Sequence, residues 1–265
     1  MANKSTLAAS TRAEWLKFRT VRSSILGVVV TIALTIGLGV LVAIVTRKNW
    51  NQLSTIRVAT FDPVSVSLVG TILAQFAVGV IGALFITTEY SSGSIRTTLA
   101  AVPNRFRLIT SKVVVLTLSI ALIGEVTCVT AFLIAQQIFR GVVPTASLSN
   151  GPVLRSVMLA GLYLTLLALL GFALGLILRQ SASSISVFVA VLLIVPLIGL
   201  FLPQSWQNVF SKFEPSTLGQ SMESPINQVN AFGAWSATGI LLGYIAVMLT
   251  VAMTLFERRD AGASQ

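Results

Sequence analysis

Six runs of roughly twenty apolar residues recur along the chain, and each is the length a helix needs to cross a hydrocarbon core about 30 Å thick. They extend from Ile25 to Val45, Val66 to Ile86, Val113 to Ile134, Met158 to Leu178, Ile185 to Leu202 and Trp235 to Leu255. Lipid offers no partner to a backbone N–H or C=O, so segments of this kind cross it as helices that bond internally. The expected fold class is an all-α membrane protein of six transmembrane helices. Composition agrees, because 55% of the 265 residues are hydrophobic and only 10% are charged, against about 25% charged in soluble domains. The first run is too long for the core of a cleavable signal, and no small-residue cleavage pattern follows it before Arg47, so it is expected to stay in the protein.

The net charge of +10 could suggest a nucleic-acid binder, but the cations sit in short clusters beside the apolar runs and not on an aromatic-interleaved surface. Their placement reads as topology. Twelve Lys and Arg residues (Lys4, Arg12, Lys17, Arg19, Arg22, Arg96, Arg105, Arg107, Lys112, Arg179, Arg258, Arg259) fall on one side of the six runs. Six (Arg47, Lys48, Arg57, Arg140, Arg155, Lys212) fall on the other. The positive-inside rule then puts both chain ends in the cytoplasm, N-in and C-in. Histidine is absent, which removes the commonest neutral-pH base and zinc ligand, and the single Cys128 cannot form an internal disulfide. No Gly-x-x-x-x-Gly-Lys-Ser/Thr pattern occurs, so the chain has no P-loop for ATP.

Two segments outside the runs carry pattern. From Ser5 to Arg22 the spacing predicts an amphipathic helix on the inner leaflet, with Leu7, Thr11, Trp15 and Phe18 on one face, Lys17 pointing away, and Arg12 and Arg19 flanking the stripe. It serves either as a topology anchor or as a surface on which a cytoplasmic partner docks. Between the second and third runs, Ser91 to Ser94 predict a turn around Gly93. Ile95, Leu99 and Val102 then fall at i, i+4 and i+7, giving a two-turn helix that Pro103 and Asn104 stop. A short helix held at the ends of two spans would let a partner that grips it move both together.

These residues carry a resemblance. The run Glu89-Tyr90 through Gly93 and Arg96 to Pro103 resembles the cytoplasmic loop of type-two ABC exporter permeases, and Glu14-Trp15-Leu16-Lys17-Phe18-Arg19 resembles the interfacial helix of actinobacterial members. The resemblance implies one permease domain over residues 1–265, comprising a cytoplasmic interfacial helix (1–22), a six-span bundle (25–255) and a cytoplasmic tail (256–265), in a bacterial plasma membrane. It implies no cofactor on this chain, ATP and Mg on a separate ATPase subunit, and a second permease copy, identical or related. Contact with that ATPase falls to Glu89, Tyr90, Gly93, Arg96 and Leu99, while Trp15, Lys17, Phe18 and Arg19 belong to the interfacial helix. It also implies that residues 203–233 form re-entrant outer-leaflet helices capping the substrate path; read from composition alone, the same stretch suits an interface or a partly ordered loop.

Inside the spans, Glu125 is the one formal charge expected at depth, about 20 Å beyond Lys112. An ionised carboxylate there must pair, protonate or face water, so it lies toward the bundle interior or a subunit interface, as part of a substrate path or as a structural contact. Gly171 and Gly175 permit a close helix approach, and Pro196 predicts a kink. The resulting expectation is the permease subunit of an ABC transporter exporting a hydrophobic or amphipathic substrate. The alternatives are a proton-coupled transporter using Glu125 and a membrane module that recruits a cytoplasmic partner.

Overall fold

The computed structural model describes residues 7–258 except 53, 103, 227 and 229. Lys4, Ser5, Pro103 and Arg259, which enter the expectations above, lie outside them. Thirteen α-helices occur among the described residues, and no strand. They are α1 (Leu7–Thr20), α2 (Arg22–Asn49), α3 (Thr55–Ala59), α4 (Pro63–Ser67), α5 (Thr71–Ser91), α6 (Ser94–Ala101) and α7 (Arg105–Phe139). Then follow α8 (Gly151–Leu178), α9 (Ser181–Val189), α10 (Val195–Gly199), α11 (Gln204–Phe210), α12 (Pro215–Glu223) and α13 (Ala234–Arg258). Six segments are long and apolar enough to cross a membrane: α2, α5, α7, α8, α9 continuing through α10, and α13.

Burial orders these six into a centre and a rim. Along α8, 89% of the spanning window is buried, against 22% for α2, for α9–α10 and for α13. α8 is therefore the axis, and α5, α7, α9, α12 and α13 pack around it. The seam between α5 and α8 is made by small residues. A Cβ on Gly82 would strike the carbonyl of Ala168, one on Gly171 the carbonyl of Gly79, and one on Gly175 the Ile86 side chain. The Gly171/Gly175 pair read in the sequence thus works as half of a two-sided seam.

The second span begins later than its hydropathy predicts. Asp62 caps α4, its carboxylate accepting from the Val64 N–H at 2.9 Å, with Pro63 at the first helical position. The chain then breaks at Leu68–Gly70 and restarts at Thr71, because Gly70 lies against the backbone of Thr35 in α2, where a side chain would collide. In the fifth span the five residues Ala190–Ile194 widen into a π-helical turn just ahead of Pro196, and Val195 N–H bonds back to the Ala190 carbonyl. That wider turn accommodates the proline ring and its missing donor.

Contacts place the helix ends in two groups. One end of the bundle, called basal below, holds the end of α13: Arg105 of α7 donates to the carbonyls of Phe256 and Glu257 at 3.0 and 3.1 Å, closing the last turn of that helix. At the opposite, distal end, Arg47 reaches the Ile138 carbonyl at 2.7 Å and Arg155 the Ser224 carbonyl at 3.1 Å. The segment from Pro203 to Gly233 is ordered into α11 and α12 where described. Leu218 and Met222 of α12 are fully buried, while Trp206 of α11 stays exposed.

Candidate functional site

At the basal end, the predicted stripe of α1 is divided between two surfaces. Leu7 and Trp15 are exposed, and the face turned to the bundle is Ser10, Glu14 and Phe18. The reason is a charge network that the apolar pattern does not record. Lys112 of α7 is completely buried and its ammonium reaches Glu14 Oε2 and Glu89 Oε1, each at 2.7 Å. Lys17 joins them from the flank of the stripe: its ammonium lies 2.8 Å from Glu89 Oε1 and 3.2 Å from Glu14 Oε1. Two carboxylates and two ammonium groups therefore alternate, tying α1, α5 and α7 together with no net charge. Burial pulls the Lys17 ammonium down, but its hydrogen bond to Glu89 and the charge of Glu14 outweigh that and hold its pKa above the ordinary lysine value. Buried charge is tolerable here because every charge faces its opposite at hydrogen-bond distance.

An aromatic stack continues the contact. Phe18 meets Phe85 edge-on with centroids 5.8 Å apart, and the Lys112 ammonium stands 5.0 Å from the Phe85 centroid. On the outer side Trp15 stacks on Phe18 at 6.4 Å, with the Arg19 guanidinium 6.0 Å from the indole. Four residues singled out on α1 thus form one continuous edge, Trp15 and Arg19 facing outward and Lys17 and Phe18 inward.

The loop helix sits beside this network. α5 ends at Ser91, and Gly93 adopts φ +70° to reverse the chain, a conformation that favours glycine. α6 then follows as expected, Ile95 seated in the core and Leu99 and Val102 packed against it, leaving Arg96, Thr97 and Ala100 exposed. Asn104 does more than stop that helix: its side chain accepts from the Arg107 N–H at 2.9 Å and caps α7. Tyr90 lies under the Arg179 guanidinium at 5.4 Å, which joins the end of α8 to the same platform.

Glu125 stands apart from this group, thirteen residues beyond Lys112 and about 20 Å along α7. It is half-buried, its carboxyl lies against Gly161 of α8, and its Oε2 is enclosed with no hydrogen-bond partner among the described residues. Glu14, Glu89 and Lys112 are further charged residues buried in the bundle, all of them outside the predicted apolar runs. In the sequence Lys112 reads as a cation beside the third run, but α7 begins seven residues earlier at Arg105, which carries Lys112 inside the helix bundle. The available signal was that Glu14 and Glu89 are two of only eight acidic residues, and both flank predicted spans on the same side as Lys112.

The pattern of the family described as "Protein of unknown function (DUF2705)" matches residues 89–261. The chain belongs to this family. The match begins at Glu89 and takes in the loop helix and the spans from α7 onward, 173 of the 265 residues. A search of curated proteins finds no match.

Proposed function

We propose that this DUF2705 member is the permease subunit of an ABC exporter of type two, with its basal end in the cytoplasm and a separate ATPase docking on the α6 surface. One observation carries the reading. α6 hangs between two spanning helices with Ile95 locked in the core and Arg96 and Thr97 open, while the Glu14–Lys17–Glu89–Lys112 network fastens α1 to the ends of those same two helices. A push on α6 is then carried into α5 and α7 as one body instead of being lost in a slack loop. Glu89, Tyr90 and Gly93 shape the joint, Leu99 fixes the helix to it, and Arg96 is the contact offered to the ATPase. Trp15 and Arg19 sit at headgroup depth in the inner leaflet.

ATP and Mg are held by the partner, and this chain supplies the moving walls. Six spans are half of the twelve that enclose a path in this architecture, so a second permease copy completes it. Closure of the bound ATPases favours one access state of that path over the other. The apolar walls suit a drug, lipid or amphipathic peptide, and α11 and α12 lie as re-entrant helices in the outer leaflet. Isolation of the chain from its native membrane in mild detergent tests the reading. An ABC ATPase is expected to come with it, and its absence contradicts the proposal. A second reading, proton coupling through Glu125, draws on the carboxyl enclosed against Gly161 without a partner for Oε2. Transport that follows a pH gradient and survives ATP depletion selects that reading instead.

A further inference from the structure

At the distal end a second acidic site lies far from the platform. Glu223, the last residue of α12, is 8% exposed, and its Oε2 accepts from the Thr71 hydroxyl of α5 at 2.9 Å. Its other oxygen, Oε1, is buried with no hydrogen-bond partner among the described residues. Both residues line a cavity of about 280 Å³, shared with Gln75 and Phe76 of α5 and Tyr163 of α8.

The hydrogen bonds leave this cavity rich in acceptors. Tyr163 donates its hydroxyl proton to Gln75 Oε1, and the Gln75 amide donates to the Ile72 carbonyl at 2.8 Å. The Thr71 proton is shared between Glu223 and the Leu68 carbonyl. What remains among the lining residues is the Glu223 carboxyl with its unpaired Oε1 and the unused lone pairs of Gln75 and Tyr163, beside the hydroxyl of Ser216 and the amide of Gln220. No Lys or Arg lines the cavity among the described residues, and Arg155 directs its Nη2 to the carbonyls of Ser224 and Pro225. Gly219 keeps the Tyr163 ring close, since a Cβ there would meet it. At the mouth stand Ile72, Leu73 and Leu193, all exposed and apolar.

The geometry points to a binding site for a primary ammonium group carried on an apolar chain, with Glu223 as the anionic anchor, Gln75 as a second acceptor and Phe76 as an aromatic wall. The volume falls just below the roughly 300 Å³ at which pockets begin to hold whole drug-sized ligands. It therefore takes the head group and a few carbons, and the remaining chain lies along Ile72, Leu73 and Leu193. This site is independent of whether an ATPase docks at the other end. Burial pushes the Glu223 carboxyl up to about 8, the Thr71 hydrogen bond drawing back part of the shift. Tyr163 of α8 and Cys128 of α7 are the titratable groups that face it.

The test uses the full chain in lipid nanodiscs, with n-octylammonium as the probe, n-octanol as the uncharged control and empty nanodiscs for partitioning. Octylammonium keeps its charge below about pH 10, as lysine does. Saturable binding about tenfold or more tighter at pH 9 than at pH 6 is expected, with octanol weaker and indifferent to pH. Glu223→Gln should abolish the pH dependence, and Gln75→Leu should weaken binding while keeping it. Equal binding at the two pH values, or octanol binding as well as octylammonium, overturns the proposal on the native chain alone. Unchanged octylammonium binding in a folded Glu223→Gln protein overturns it as well.

Discussion

Lys112 shows how one side chain can hold three helices. Fully buried between Glu14 and Glu89, it is the member of the network that no water can replace. Lys112→Met leaves two enclosed carboxylates facing each other across Lys17, a change expected to cost about 3–5 kcal/mol. Lys17, with a side chain 41% exposed, should cost less than about 1 kcal/mol when replaced by Ala. Unfolding of the two variants in detergent compares them, and equal losses would mean that the network is not closed to water. Glu223 gives a pH signature of opposite origin. Its raised pKa means that the folded chain holds a proton that the unfolded chain releases, so its favourable contribution is complete below about pH 4.5 and is lost as pH rises toward 8. The melting temperature should fall across that window, and Glu223→Gln should flatten the slope. Neither residue was visible as a site in the sequence. A lysine beside an apolar run reads as a boundary marker, and only the depth of its helix in the bundle reveals that it is enclosed.

At the scale of elements, hydropathy located every span, because twenty apolar residues have one solvent and one backbone solution in it. It could not place the ends. α7 runs from Arg105 to Phe139, well beyond the apolar stretch on both sides, because the protein and not the lipid surrounds its polar turns. α1 is a helix as the spacing predicts; Leu7 and Trp15 stay exposed, while Phe18 of the same stripe joins Glu14 against the bundle, where ion pairs to α5 and α7 hold the helix. Gly93 was readable, as a turn between two helical patterns commonly needs a positive φ there. Gly93→Ala should cost about 1 kcal/mol and loosen α6, seen as faster hydrogen exchange over 94–101. Gly171→Val should be far more damaging, because the new side chain enters the Gly79 carbonyl and parts α5 from α8. Loss of folded protein at expression temperature, with the exposed Gly243→Val unaffected, is the expected result.

For the whole molecule, α13 returns the chain to the end of the bundle that carries α6 and the charge network. The proposed sidedness makes that end cytoplasmic. The only native cysteine, Cys128, is fully buried, so an introduced thiol reports alone. Ser147→Cys, exposed in the distal connection between α7 and α8, should react with a membrane-impermeant maleimide on intact cells, and Thr97→Cys only in inverted vesicles; the reverse pattern would turn the protein over in the membrane. In the proposed dimer half of each wall of the substrate path belongs to the second copy, so a single chain does not display that path. The coupling surface can be tested directly. Thr97→Cys, at the exposed face of α6, is treated with a short thiol-to-amine cross-linker in native membranes, and the adduct is identified by mass spectrometry. A cross-link to an ABC ATPase, lost in the Arg96→Glu background while the chain stays folded, is the expected result; a cross-link to lipid or to an unrelated protein with no ATPase adduct contradicts it.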